Sequence, residues 1–445
     1  MKKHLYYLSS LLVILLSCNV FATVGFLSPS GINPKFAANV NIAMINVYNE
    51  EQLRHELILA EKNGLQLYLD LGPALNTARK TENISTVYYD DNNLRHQKIF
   101  KPIDQNKLRA LPADSLLKAK ISKLLPSIEQ YRDNVAAIFL ADEPYLNGLN
   151  KNDLEHVAAQ TRSLLDARGL KEIKLGVIFA SAMFNAEFAR ELDKKSIRYV
   201  EGIDNHYRNI AEKIKNNTAT DDEKKWPEII EKFRLTTYDS AGNIYTEGGI
   251  PKGFDIYTFD FYLSTILLDN LYNDIPAWFA AKNIDKSCQV FNNKTVAQIR
   301  QELSFFSDGA MDTTEQDIQH DKDIMDDLYT CRMNTTIKLL QQEIQSTSPQ
   351  ANIVLISESS SNGVMEFDRT GNLKQGQPEK LVELRVLHEV QRALKLYQDQ
   401  QYQNISGILF FLFNDEYDNT IKINIGGAGS MPSVLTEIYS LNERE

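Results

Sequence analysis

VAAIFLADEP, residues 135–144, is the stretch whose reading decides the fold. Seven apolar residues in a row, with no polar alternation and too few for a core helix, read as a strand buried on both faces. The run closes on Asp142, Glu143 and Pro144, which places two carboxylates at the strand's carboxyl end. Working outward, similar runs occupy residues 24–27, 40–47, 65–71, 174–180, 254–260, 353–357 and 407–413, so eight strands are predicted. Helical patterns separate them. Residues 51–63 carry Leu53, Leu57, Ile58 and Ala60 on one stripe and stop at Asn63-Gly64.

Strands that are apolar on both faces and separated by helices point to a parallel sheet, and eight such units to a (β/α)8 TIM barrel. Residues 197–207 have apolar side chains at steps of three and four and are predicted as a helix rather than a ninth strand. Residues 72–134, 181–253 and 261–352 are longer than one helix and its loops require, so the connections after the third, fifth and sixth strands are expected to carry insertions. Leaving from carboxyl strand ends, they would rise over the face where barrel active sites are built. Their aromatic residues Tyr88, Tyr89, Trp226, Tyr272 and Trp278 are candidates for stacking on sugar rings, against the plainer role of packing each insertion.

Chemistry is sought at the strand ends. The fourth strand ends at Glu143 and the seventh, IVLIS, ends at Glu358. Two inward carboxyls about 5–5.5 Å apart form the pair a retaining glycosidase uses. Asp70 closes the third strand and Asp260 with Tyr262 the sixth; these, with Asp142 and Asn414, are candidate substrate-binding residues. An ionised Asp142 is expected to raise the pKa of Glu143 by like-charge repulsion. His206 is assigned to surface or packing. The acids of residues 414–418 and of 312–327 read as solvated, the former with a sugar or calcium site as the alternative.

With the two glutamates placed, the chain resembles the clan of retaining (β/α)8-barrel glycoside hydrolases that contains the family-5 cellulases and mannanases. There the acid/base glutamate closes the fourth strand, usually as Asn-Glu-Pro, and the nucleophile closes the seventh; the resemblance carries these roles onto Glu143 and Glu358. GLQLYLD at residues 64–70 is similar to the clan's third strand, and GILFFLF at 407–413 with Met431-Pro432 to its eighth strand and closing helix. This chain departs at Asp142 where the clan has asparagine, at Phe413-Asn414 where it has tryptophan, and at Asn46 where it often has arginine. The resemblance implies double displacement on an oligo- or polysaccharide, with no cofactor. The competing class is a secreted glycan-binding or interaction protein on a barrel whose catalytic machinery has decayed. A metal-dependent hydrolase stands third, without a His-x-His strand motif, and no Gly-x-Ser-x-Gly signals a serine triad.

Composition fits an exported globular protein. The 445 residues are 43% apolar and 24% charged, and the formal charge of −11 disfavours nucleic acid as a partner. Lys2 and Lys3 precede an apolar run at 5–16 that is too short for a membrane span, so residues 1–22 read as an export signal. Val20-Phe21-Ala22 fits an ordinary cleavage site, leaving residues 23–445 as one barrel domain, secreted or periplasmic. The alternative is a lipoprotein anchored at Cys18. Removing two lysines and no acid takes the charge from −11 to −13. Cys288 and Cys331 remain as an even pair and are expected to be bonded. No Cys or His ligand spacing suggests a zinc site.

Overall fold

The computed structural model describes residues 23–76, 109–145, 147–186, 209–221, 223–225, 248–261, 285–294, 298–299, 302–303, 314–364, 378–399, 402, 404–418 and 423–441, with backbone strands at 78–79, 84–89 and 95–100. The leader with Cys18, the predicted helix at 197–207 with His206, Tyr262, Trp226, Tyr272, Trp278 and the side chains of Tyr88 and Tyr89 lie outside the described residues.

Eight parallel strands close into a barrel. They are β1 (Thr23–Leu27), β2 (Ile42–Asn46), β3 (Gln66–Asp70), β4 (Val135–Asp142), β5 (Lys174–Ala180), β6 (Ile256–Phe261), β7 (Asn352–Glu358) and β8 (Ile405–Phe411). Each pairs with its sequence neighbour, and β8 returns to β1, with Thr23 opposite Gly407 and Leu27 opposite Phe411. All eight predicted strands are present. Among the described residues, six helices of eight residues or more pack around them: α1 (Glu50–Asn63), α2 (Asp114–Gln130), α3 (Lys151–Ala167), α4 (Glu315–Thr347), α5 (Glu379–Tyr397) and α6 (Pro432–Tyr439).

Alternation along the strands divides the core in two. On β7, Val354 and Ile356 join the barrel interior with Met44, Tyr68, Phe139 and Leu409, whereas Ile353 and Leu355 join the layer beneath the helices. Gly176 lies under the Phe139 ring; a Cβ there would sit 2.5 Å from a ring carbon, so glycine makes room for the ring to fill the barrel. Helix α1 follows the sequence signals closely. The Asn49 side chain accepts from the Gln52 N–H at 2.9 Å, and Gly64 ends the helix with φ 66°. Ile58 is exposed rather than buried, and Glu56 takes an inward place, its carboxylate accepting from the Ile32 N–H at 2.8 Å.

Two other expectations are corrected. Strand β8 ends at Phe411, two residues before the end of the apolar run. Phe413 instead turns out of the sheet and packs on Phe26 and Phe36, with ring centroids 5.2 and 5.0 Å away. The acidic stretch 312–327 is not wholly solvated: it opens α4 behind a Thr314 capping box, and Asp326 accepts from Lys322 and from Arg392 of α5.

The insertions after β3, β5 and β6 are as long as expected. In the first, antiparallel ribbons pair residues 78–79 with 109–110 and 84–89 with 95–100. In the third, Cys288 is bonded to Cys331, tying the 3-10 turn Lys286–Phe291 to α4. Closing a loop with a sequence separation of 43 removes ~4 kcal/mol of unfolded-chain entropy. Replacing both cysteines with serine should therefore lower the unfolding free energy by up to about 4 kcal/mol, read from the urea midpoint. An unchanged midpoint would show that the bond constrains nothing. Among the described residues no helix is long and apolar enough to cross a membrane.

Candidate active site

The inner-face positions at the carboxyl ends of the strands are rich in acids. Beyond Val354 and Ile356 on β7 comes Glu358; beyond Ile256 and Thr258 on β6 comes Asp260; beyond Tyr68 on β3 comes Asp70. Strand β4 reaches the same rim by a different device. Its register with β5 slips between Phe139 and Asp142, so Leu140 and Ala141 both pack outward and Asp142 comes level with Ile178.

Glu143 follows in a left-handed conformation, φ 44°, which a residue with a Cβ seldom adopts. The turn is held on both sides. The Glu143 N–H donates to the Ile178 carbonyl at 3.0 Å, and the Asn147 amide donates to the carbonyls of Asp142 and Glu143 at 3.0 and 3.1 Å. Asn147 in turn accepts at its own carbonyl from the Arg109 N–H at 2.7 Å. The ribbon carrying Arg109 is thus stapled to the acidic turn.

Burial dominates the electrostatics. It pushes Asp70 up to about 7, helped by the charge of Asp142 and opposed by the Gly72 N–H, which donates to its carboxylate at 2.8 Å, and by Arg109. It pushes Asp142 up to about 6 against the pull of Arg109. Glu143 rises to about 7, first through burial and then through Asp142, with an Asp260 hydrogen bond and Arg109 opposing. Repulsion from Asp142 is therefore present as expected, but it is the second cause. Asp260 is raised well above the usual carboxylate range by burial and by the charges of Glu143 and Asp142. The hydrogen bond between the two carboxyls pulls Glu143 down and pushes Asp260 further up.

Glu358 is buried, 1% exposed. One carboxylate oxygen accepts from the Ser359 N–H at 3.1 Å, the Ser360 N–H at 2.8 Å and the Ser360 hydroxyl at 2.6 Å. Its other oxygen, Oε2, has no hydrogen-bond partner among the described residues. Burial lifts the group to about 8, against the Ser360 donors and with a smaller push from Glu389 behind the barrel wall. Glu389 is itself raised to about 7 by burial, although the Arg392 guanidinium donates to it at 2.9 Å.

The two sequence-identified glutamates thus close strands three places apart on one rim, and the side chain that touches Glu143 is Asp260. Asp70 and Asp142 stand beside them. Asn414 is three residues past β8, and its amide is engaged: Oδ1 accepts from Asn33 at 2.7 Å and Nδ2 donates to Ser30 at 3.0 Å. Asp415 accepts from the Gly427 N–H at 2.8 Å and the Ser430 hydroxyl at 3.1 Å, so it holds its own loop. Among the described residues, no three His, Cys, Asp or Glu side chains are grouped to hold a metal ion. Sequence reasoning missed Arg109, Asn147, Ser360 and Glu389. Only Glu389 left a signal, as an acid on the buried stripe of Val386, Val390 and Ala393.

No family model matches the chain, and no curated protein matches it. Seven chains of solved structures do. One belongs to work on two plant beta-glucan endohydrolases with distinct substrate specificities; it is 10% identical, covers 92% of this chain and 95% of that one, and has a TM-score of 0.36.

Proposed function

We propose that the chain is an exported glycoside hydrolase of the retaining type, with Glu143 as acid/base and Glu358 as nucleophile on an oligo- or polysaccharide. The observation that carries the reading is a pair of carboxyls at the ends of β4 and β7 on one barrel rim, Glu358 buried and Glu143 half-buried and hydrogen-bonded to a third carboxyl, Asp260. Glu143, protonated, gives its proton to the leaving oxygen while Glu358, ionised, attacks the anomeric carbon. Glu143 then takes a proton from the water that releases the sugar. Two carboxyls suffice for this cycle, and it needs no cofactor. Asp260 supplies Glu143 with a hydrogen-bond partner, Asp70 and Asp142 are assigned to binding the substrate, and Tyr262, outside the described residues, is assigned the same role from the sequence. Asn414 shapes the loop beside it.

The pKa directions set the pH profile. Turnover needs Glu358 ionised, which is gained as pH rises through about 8, and Glu143 protonated, which is lost as pH rises through about 7. The product of the two fractions is a bell centred at about pH 7.5, and only a minor fraction of molecules is active at its top. An initial-rate profile that keeps rising below pH 6 would contradict these roles.

One observation favours a second reading, a glycan-binding barrel without turnover: Glu358 is enclosed and tied to its own serine turn. Incubation with a panel of plant, fungal and bacterial polysaccharides separates the two. The hydrolase releases reducing ends, whereas the binding protein is retained on a glycan that stays intact.

A further inference from the structure

Glutamate is a poor choice for a backbone φ of 44°, a conformation that glycine, and at times asparagine or aspartate, adopts. Pro144 makes it poorer still, since a proline favours an extended residue before it. The local sequence therefore does not ask for the turn at Glu143. Such a conformation persists only where surrounding contacts over-determine it.

The contacts come from Asn147. Its N–H donates to the Glu143 carbonyl at 3.0 Å, and its side-chain amide donates to the carbonyls of Asp142 and Glu143 at 3.0 and 3.1 Å. One of those carbonyls belongs to the peptide plane before Glu143 and the other to the plane after it. Peptide planes are rigid, so fixing both fixes the direction in which the glutamate side chain leaves the backbone. That direction brings the carboxyl to Asp260 on β6.

The clasp is itself anchored from two insertions. The Asn147 carbonyl accepts from the Arg109 N–H at 2.7 Å, at the ribbon that pairs residues 78–79 with 109–110. Two residues past Glu143, the Tyr145 hydroxyl donates to the Gly249 carbonyl, and its ring centroid lies 5.4 Å from that of Phe179 on β5.

We infer that Asn147 is the positioning residue of Glu143: its amide aims the carboxyl, and its carbonyl ties that aim to the insertion after β3. The word acid/base rests on the proposed function, whereas the clasp rests on the hydrogen bonds alone. Asn147 acts through Glu143 and not on the reacting atoms, and a misplacement of about 1 Å at such a group costs on the order of 10²-fold.

The test compares Asn147→Ala, Asn147→Asp and Glu143→Ala on two substrates, the polysaccharide of the panel that releases most reducing ends and the dinitrophenyl glycoside of its sugar. Alanine keeps the backbone bond and removes both amide bonds; aspartate keeps the size and turns an acceptor toward two carbonyls. Both Asn147 variants should lower kcat/KM on the polysaccharide about 10–100-fold and leave it within about twofold on the activated glycoside, whose departure needs no acid. A merely structural role would lower both alike. Equal losses on the two substrates, or wild-type rates in either Asn147 variant while Glu143→Ala is impaired, would overturn the inference and keep the hydrolase. Wild-type rates in Glu143→Ala would instead remove the acid/base assignment.

A second readout needs no turnover. Carbon NMR titration of the glutamate carboxyls, assigned with Glu143→Gln and Glu358→Gln, should show the Glu143 midpoint displaced in Asn147→Ala and the Glu358 midpoint in place. An unmoved Glu143 midpoint, or equal movement of both, overturns the inference whether or not a glycan is cut. A displaced Glu143 midpoint in a protein that cuts no glycan keeps the positioning role and sinks the hydrolase.

Discussion

Glu358→Ala should abolish turnover, by on the order of 10⁴-fold or more, because no other group takes the place of the nucleophile in the first displacement. Glu143→Ala should be more selective. With natural substrates, whose leaving oxygen needs a proton, the loss should be about 10²–10⁴-fold, but with an activated aryl leaving group the first step proceeds without the acid. Azide discriminates between the two vacancies. In the Glu143→Ala protein it enters where the carboxylate stood and attacks the glycosyl-enzyme, giving a glycosyl azide of retained configuration. In the Glu358→Ala protein no glycosyl-enzyme forms, so a retained azide product is not expected. Chiral analysis of the azide adducts reads this directly. Wild-type activity in both variants would remove these residues from the mechanism and advance the binding-protein reading.

The left-handed backbone at Glu143 bears on this experiment. A residue held at φ 44° stores on the order of 1–3 kcal/mol, and the Asn147 amide bonds to the carbonyls of Asp142 and Glu143 keep it there. Alanine shares the steric restriction of glutamate at this φ, so Glu143→Ala changes the carboxyl and leaves the turn under the same restraint. Glycine would relax the turn as well and confuse the two effects.

The barrel was legible in the sequence for a physical reason. A strand covered on both faces must be apolar at every position, and a surrounding helix must show a stripe, so residues 135–141 and 51–63 announce themselves without any partner in view. The end of β8 was not legible, because Phe413 is as apolar as a strand residue yet is buried against Phe26 and Phe36, which lie far away in sequence. Within the site, the acids at strand ends could be read because alternation fixes which residues face inward. What could not be read were the contacts made across strands or from insertions: Asp260 reaching Glu143 past β5, Arg109 delivered by a ribbon, and the slip in β4 that turns Asp142 inward. Each depends on register or loop geometry, which leaves no periodic trace.

Glu358→Gln should make the protein more stable at alkaline pH while inactivating it. In the fold this carboxyl titrates near 8, against an ordinary value of 4.5. The folded state therefore binds the proton more tightly than the unfolded chain, and stability falls as pH rises from about 4.5 to about 8, with the full penalty present above that window. For one buried group the penalty is on the order of 5 kcal/mol. Glutamine keeps the oxygen that accepts from Ser359 and Ser360 and cannot ionise, so it escapes the penalty at the cost of an amide with an unpaired donor, about 1 kcal/mol. Urea unfolding at pH 9 should show the variant ahead by several kcal/mol, whereas at pH 4.5 the two proteins should differ by ~1 kcal/mol. Equal slopes of stability against pH in wild type and variant would mean that Glu358 is ordinarily solvated in solution. A gain at pH 9 bought with lost turnover would instead identify the buried carboxylate as a strain the fold carries for its chemistry, since a binding barrel with no use for a nucleophile would lose nothing by the same change.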